Sequence, residues 1–301
     1  MDGIIPLWKP RGMTSHDCVF KIRKILKMKK VGHTGTLDPE VDGVLPICIG
    51  RATKVAEYIT DAGKEYIGEV TIGYSTTTED AHGEIVESKK IEDPISIQAI
   101  KNVLQTLTGE IEQTPPMYSA VKVNGKKLYE YARAGITVER PTRKVHIYQI
   151  SLDEDSIKMK DGKCIFSFRV KCSKGTYIRT LAVTIGEKLG YPAHMSKLTR
   201  IASASFTSEH CLSFEDIEKF MLNGELMDNI YPLETGISYL PKYILDDSLV
   251  LRIKNGAVLP KPVDWPDGHV VMEYNSEAFA IYQLHPNKEN VIKPVKILRN
   301  T

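Results

Sequence analysis

The chain has 301 residues, 42% of them hydrophobic and 26% charged, with five cysteines and a formal net charge of +2. This composition fits a folded protein with one large core or two unequal ones. It excludes a disulfide-dense scaffold and a membrane-spanning run of roughly 18 apolar residues.

The cysteines show no CxxC spacing and the eight histidines are scattered. A reducing compartment is expected and a metal site is not. The start of the chain lacks the basic and long apolar regions of a signal peptide, so the cytoplasm is the expected location. Charge is unevenly spread. Residues 163–200 hold eight Lys/Arg against Glu187, residues 114–147 hold seven against Glu130 and Glu139, and residues 209–247 hold nine acids and two lysines. Such asymmetry fits a basic face for an anionic partner, and equally a set of solvated faces.

In chain order, Gly3–Trp8 reads as a strand and Lys9-Pro10-Arg11-Gly12 as a turn. Thr14 or Ser15 caps a helix to about Met28, whose second side is basic: a solvated face or a phosphate contact. Residues 30–39 form a glycine-containing loop, followed by the apolar run 44–49 and a short helix after Arg51-Ala52-Thr53-Lys54. Lys64–Gly73 alternates as a strand, 73–83 is a polar loop, and Ser96 caps a helix through about Leu107. Met117–Val123 reads as a strand entering an Asn124-Gly125 hairpin. A short helix at about 127–134 and strands at Val145–Leu152 and Cys164–Cys172 follow. Thr176 starts a helix to about Leu189, and Met195–Phe206 is strand-like. Phe214–Met221 is an acidic helix, and Pro232 and Pro241 bracket a linker. From about 240 come short strands separated by Asn255-Gly256, Pro266-Asp267-Gly268 and Pro286-Asn287.

By pattern alone Asp38 is a turn aspartate beside Pro39. Gly32 and Gly35 let the backbone approach a ligand, and apolar neighbours make an unused carboxylate costly. Arg179, in Lys174-Gly175-Thr176-Tyr177-Ile178-Arg179, is an available cation.

Residues 31–50, Val-Gly-His-Thr-Gly-Thr-Leu-Asp-Pro-Glu-Val-Asp-Gly-Val-Leu-Pro-Ile-Cys-Ile-Gly, resemble the catalytic loop of the TruB-type tRNA pseudouridine synthases. Further blocks agree in order: Lys64-Glu65-Tyr66; Gly73-x-x-Thr76-x-Thr78-x-Asp80-x-x-Gly83; Pro115-Pro116-Met117-Tyr118-Ser119-Ala120 with Leu128–Arg133; and Cys172–Leu181. The resemblance spans about 3–205. Glu40-Val41-Asp42 departs from it, adding two charges near Asp38.

The resemblance implies a mixed α/β (α+β) catalytic domain over 1–235, with a largely antiparallel mixed sheet and flanking helices. Segment 124–144 would close over RNA. Residues 240–301 resemble, more weakly, a PUA-like RNA-binding domain directed at the acceptor arm. The implied reaction is cofactor-free isomerisation of the T-loop uridine at tRNA position 55, with the base flipped out of its stack. The implied catalytic residues are Asp38, acting on ring or sugar, Tyr66, stacking on uracil and taking the C5 proton, and Arg179, orienting Asp38. His33 would fill the vacated stack, Leu198 would line the pocket, and Lys54 and Asp80 would lie near the RNA. The expected partner is tRNA, engaged by a monomer. The alternatives are an RNA-binding or RNA-folding module without chemistry, and a guide-RNA-dependent pseudouridine synthase.

Overall fold

The computed structural model describes residues 1–299, so the last two residues of the 240–301 segment lie outside the described residues. Gly3–Lys9 forms β1, and Thr14 caps α1, Ser15–Leu26. The cap is reciprocal: the Thr14 hydroxyl accepts from the Asp17 N–H at 3.0 Å and the Asp17 carboxylate accepts from the Thr14 N–H at 2.9 Å.

The stretch read as a loop at 30–39 opens as a strand. β2, Val31–His33, pairs antiparallel with β3, Asp42–Ile49. A 3-10 turn over Gly50–Val55 leads into α2, Ala56–Asp61. Then come β4, Lys64–Ile72, the paired β5, Tyr74–Thr76, and β6, Ile85–Ser88, within the polar loop, and α3, Ile97–Thr106, capped by Ser96.

β7, Gly109–Gln113, is not legible in the pattern. The strand expected over Met117–Val123 shrinks to β8, Lys122–Val123, hairpinned to β9, Lys126–Lys127. Pro115 and Pro116 have no N–H to give a ladder. The Ser119 and Val121 carbonyls instead accept from Tyr129 and Leu128, the first N–H groups of α4, Leu128–Arg133.

β10, Arg143–Lys160, is longer than expected and turns into β11, Lys163–Cys172. α5 covers Ile178–Leu189, β12 Ala193–Ser203, β13 Phe206–Thr207 and α6 Phe214–Asn223.

The stretch read as a linker is buried core. Leu233 and Ile237 are 3% and 2% exposed, and a Cβ on Gly236 would come within 2.7 Å of Ile4 and Ile59. β14, Lys242–Ile244, precedes a helix the pattern did not reveal, α7, Asp247–Lys254, capped by the Asp246 carboxylate on the Leu249 N–H. Asn255-Gly256 therefore ends a helix, with Gly256 at φ +70°, rather than separating strands. β15, Leu259–Pro260, β16, Val270–Tyr274, β17, Glu277–Leu284, and β18, Val291–Ile297, complete the chain. Among the described residues no helix is long and apolar enough to cross a membrane.

The chain forms two compact units. One gathers residues 1–40, 44–60 and Ala204 onward; the other holds 41–43 and 61–203. In the first unit, distant chain segments share a strand. Ile4 exchanges backbone hydrogen bonds with Tyr231 at 2.7 and 2.9 Å. Leu212 accepts from Trp8 and donates to Pro6, both at 2.9 Å. The C-terminal sheet has the order β14-β16-β17-β18-β15. Its strands alternate, so it buries both faces. Val270, Met272, Ala280 and Tyr282 pack with α7 residue Ile253 and with Trp265, whereas Val271 and Ile281 pack with Ile4, Val44, Cys48 and Val55.

The second unit is built on the antiparallel order β12-β4-β11-β10-β7. Asp42 and Gly43 pair in parallel with Thr199 and Arg200, which makes the sheet mixed. Gly43 has φ +119°, and a Cβ there would lie 2.1 Å from the Arg200 carbonyl oxygen, so only glycine allows this approach. In β11, Cys164, Phe166, Phe168, Val170 and Cys172 are fully buried, as the alternation requires. α5 packs on β12 and β4, and α3 on β10. The fold is thus mixed α/β with a largely antiparallel sheet and flanking helices.

Candidate active site

Asp38 sits in the connection between β2 and β3 and is half-buried. The backbone on both sides of it is fixed. Upstream, Thr34 is fully buried and donates twice to the Pro46 carbonyl, from its N–H at 3.2 Å and its hydroxyl at 3.1 Å. Gly35 makes the turn at φ +97°. The Leu37 N–H donates to Ser15 Oγ at 2.9 Å, and Leu37 itself is 4% exposed.

Downstream, the Pro39 carbonyl accepts from the Gly12 N–H at 2.9 Å and from Lys9 Nζ at 3.0 Å. Lys9 is fully buried, and its ammonium also donates to the carbonyls of Pro10 and Met13 at 2.9 and 2.5 Å. Lys9 is a supporting residue that the sequence pattern hides, because it reads as part of a turn. A charged group in the core needs such a set of acceptors. Carbonyls 4 and 30 residues away leave no side-chain signal in the sequence. Ser15 carries only a capping signal.

His33 ends β2 and is half-buried. The Lys54 ammonium donates to the Ile297 and Leu298 carbonyls at 2.8 and 3.3 Å, tying the 3-10 turn to the end of β18. Burial lowers the Lys54 pKa, and the neighbouring charges of Lys30, Arg51 and Lys296 act in the same direction.

The other predicted residues lie in the second unit. Tyr66 is on β4, 7% exposed, paired in register with Val170 on β11 and Arg200 on β12. Leu198 is on β12, 8% exposed, opposite Gly68. Arg179, 6% exposed, is on the first turn of α5 and binds two loops: Nη1 donates to the Thr78 carbonyl at 3.2 Å and Nη2 to the Tyr118 carbonyl at 2.9 Å. These carbonyls belong to two of the sequence blocks that carry the resemblance, so the guanidinium brings them together.

Gln113 fixes the entry to α5. Its amide oxygen accepts from the Tyr177 N–H at 3.0 Å and its amide nitrogen donates to the Tyr177 carbonyl at 3.2 Å. The side chain thus holds both backbone groups of the residue two positions before Arg179, another role the sequence does not announce. The Asp80 carboxylate is used within its own turn, accepting from Thr78 Oγ1 at 2.6 Å and the His82 N–H at 2.9 Å.

The structure therefore joins Arg179 to the Thr78–Asp80 turn and places Tyr66 and Leu198 on neighbouring strands. His33 lies at the start of the connection that holds Asp38, in the first unit. Of the two extra charges after Asp38, Asp42 accepts from Thr199 Oγ1 at 2.6 Å and so helps seat β3 beside β12.

Comparisons with known proteins agree with one another. A family model described as TruB family pseudouridylate synthase (N terminal domain) matches residues 23–178. A second, described as tRNA pseudouridylate synthase B C-terminal domain, matches 179–238. A protein of Listeria welshimeri named tRNA pseudouridine synthase B is 56% identical over 301 residues, covering 99% of this chain and 98% of its own. One of the same name from Bacillus licheniformis is 55% identical, covering 99% and 97%. Among solved structures, a chain from a Cbf5-Nop10-Gar1 complex is similar with a TM-score of 0.74 and 28% identity, covering 99% of this chain and 85% of that one. A chain from an H/ACA RNP bound to a substrate RNA containing 2'-deoxyuridine has a TM-score of 0.72 and 26% identity, with the same coverage.

Proposed function

The chain belongs to the TruB family of pseudouridylate synthases, and from that membership we propose that it isomerises the T-loop uridine at tRNA position 55 to pseudouridine. Its activity is that of a tRNA pseudouridine synthase, an isomerase. The observation that carries the finer reading is the clamped Asp38 loop, in a chain similar from end to end to curated tRNA pseudouridine synthases.

The reaction breaks the N1–C1′ bond, turns the ring and forms C5–C1′. The C5 proton leaves and N1 gains one, so atoms and electrons balance without a co-reactant. Asp38 is the carboxylate that acts on the nucleoside, and the fixed Leu37 and Pro39 backbone holds it ready without reorganisation. Arg179 orients Asp38. It can do so because two carbonyls and the Gln113–Tyr177 contacts have already set its own position. Tyr66 stacks on the extruded uracil and removes the C5 proton. His33 takes the vacated place in the stack, Leu198 lines the pocket, and Lys54 and Asp80 lie near the RNA and the pocket entrance. The target base is inside a folded loop, so extrusion costs a few kcal/mol, which RNA contacts must offset.

Purified protein and an unmodified T-arm hairpin test this reading. Pseudouridine should map to the T-loop uridine with no guide RNA and no partner protein. Modification that requires a guide RNA would favour the guide-dependent reading instead. Binding without any product would leave an RNA-binding module.

Residues 124–144 are proposed to close over the RNA, and 240–301 to contact the acceptor arm. Lys122 and Lys126 are exposed on the β8–β9 hairpin. Changing both to alanine should weaken tRNA binding and lower the slope of log affinity against log salt by about 1 for each phosphate no longer neutralised. An unaltered slope would remove this hairpin from the RNA interface.

A further inference from the structure

Glu79 has no part in the proposed chemistry, although three parts of the second unit, the 76–80 turn, β12 and α5, meet at it. Its backbone is left-handed, φ +62°, in a residue that is neither glycine nor asparagine. Its N–H donates to the Thr76 carbonyl at 3.2 Å, and its carbonyl accepts from the Met195 N–H of β12 at 3.0 Å. Its carboxylate accepts from the Thr180 hydroxyl of α5 at 2.8 Å. The residues immediately before these, Thr78 and Arg179, are joined by the guanidinium–carbonyl bond.

The charges acting on the Glu79 carboxylate come from two segments. Arg179 and Glu187 are on α5. Arg140 lies in the 124–144 segment, where its Nη1 also donates to the Pro115 carbonyl at 3.0 Å.

We propose that Glu79 is a positioning residue, whose carboxylate locks the start of α5 against the 76–80 turn and so sets the aim of Arg179. The proposal rests on the pseudouridine synthase reading of the site. Burial pushes the Glu79 carboxyl above the usual carboxylate range, with Glu187 in the same direction and the Thr180 hydroxyl, Arg179 and Arg140 opposing. In the folded protein the neutral form is therefore favoured more than in the unfolded chain. The stability this confers is present at acid pH and is lost as pH rises through the folded pKa.

The test is Glu79→Gln, with kcat, KM and melting temperature measured from acid to alkaline pH. The amide keeps an acceptor for Thr180 and removes the charge. Expected is a loss of kcat/KM of roughly tenfold above neutral pH, the scale of one charged hydrogen bond. The wild-type to variant ratio should fall toward one in acid, where both side chains are neutral, and the variant's melting temperature at alkaline pH should be no lower than that of the wild type. A ratio near one at neutral pH, or one that does not vary with pH, would overturn the proposal. A second arm needs no turnover: a thermal-stability cycle of Glu79→Ala with Thr180→Val. Additive shifts would overturn the lock. If wild-type protein makes no pseudouridine, the functional reading fails while this cycle still decides the lock.

Discussion

Asp38→Asn is expected to lower pseudouridine formation by at least about 10³-fold, since it removes the group to which the proposed function assigns the chemistry. Binding of tRNA should stay within about twofold, because most affinity comes from phosphate contacts elsewhere. Asparagine has the same shape as aspartate. The loop is clamped through the Leu37 N–H and the Pro39 carbonyl, and both clamps survive the substitution, so the backbone should keep its course. Mapping pseudouridine after single-turnover incubation, beside anisotropy binding to the same RNA, separates the two effects. Unchanged turnover would sink the assignment of Asp38. Turnover and binding lost together would mean that the loop had moved.

Lys9→Met is the second large effect expected. Methionine fills a similar volume but donates nothing, and leaves the Pro10, Met13 and Pro39 carbonyls without the Lys9 donor. Hydrogen bonds from a charged donor are worth about 1.5–3 kcal/mol each, and loss of the buried charge offsets part of that, so a net loss of roughly 3 kcal/mol is expected. That corresponds to a fall in melting temperature of about 6–12 °C. Because the Pro39 carbonyl loses one of its two donors next to Asp38, kcat should fall further than KM rises. Calorimetry and steady-state kinetics on the purified variant check both. A melting temperature within about 2 °C of wild type would show that the buried ammonium is dispensable.

The contrast between these residues shows what the sequence makes legible. Asp38, Tyr66 and Arg179 stand out through ordered blocks of residue types, and the helices with side-chain caps, at Thr14 and Ser96, are placed to within a few residues. Lys9 and Gln113 are not visible. Their partners are backbone groups, at separations of 30 and 64 residues, and any residue type supplies a carbonyl. α7 escapes the pattern although its signals are present: Asp246 as cap, Lys254 in the last turn and Gly256 beyond it. Asn255-Gly256 reads as a strand boundary because short strands surround it. The linker reading at 232–241 fails for a similar reason. Prolines mark where regular hydrogen bonding stops, whether the chain there is exposed or, as at Leu233 and Ile237, packed in the core.

The sharing of β1 with Leu212 and Tyr231 has a consequence for the order in which the protein comes into being. Residues 61–203 leave the ribosome as an almost uninterrupted block and have nearly all of their partners by the time Ser203 emerges. β1 emerges first yet completes its surroundings last, when the segments that flank it and close its core have been made. A nascent chain can thus hold a finished second unit while the first unit is still incomplete. Chains cut short by premature termination before Tyr231 would carry the second unit together with a β1 that lacks its late partners.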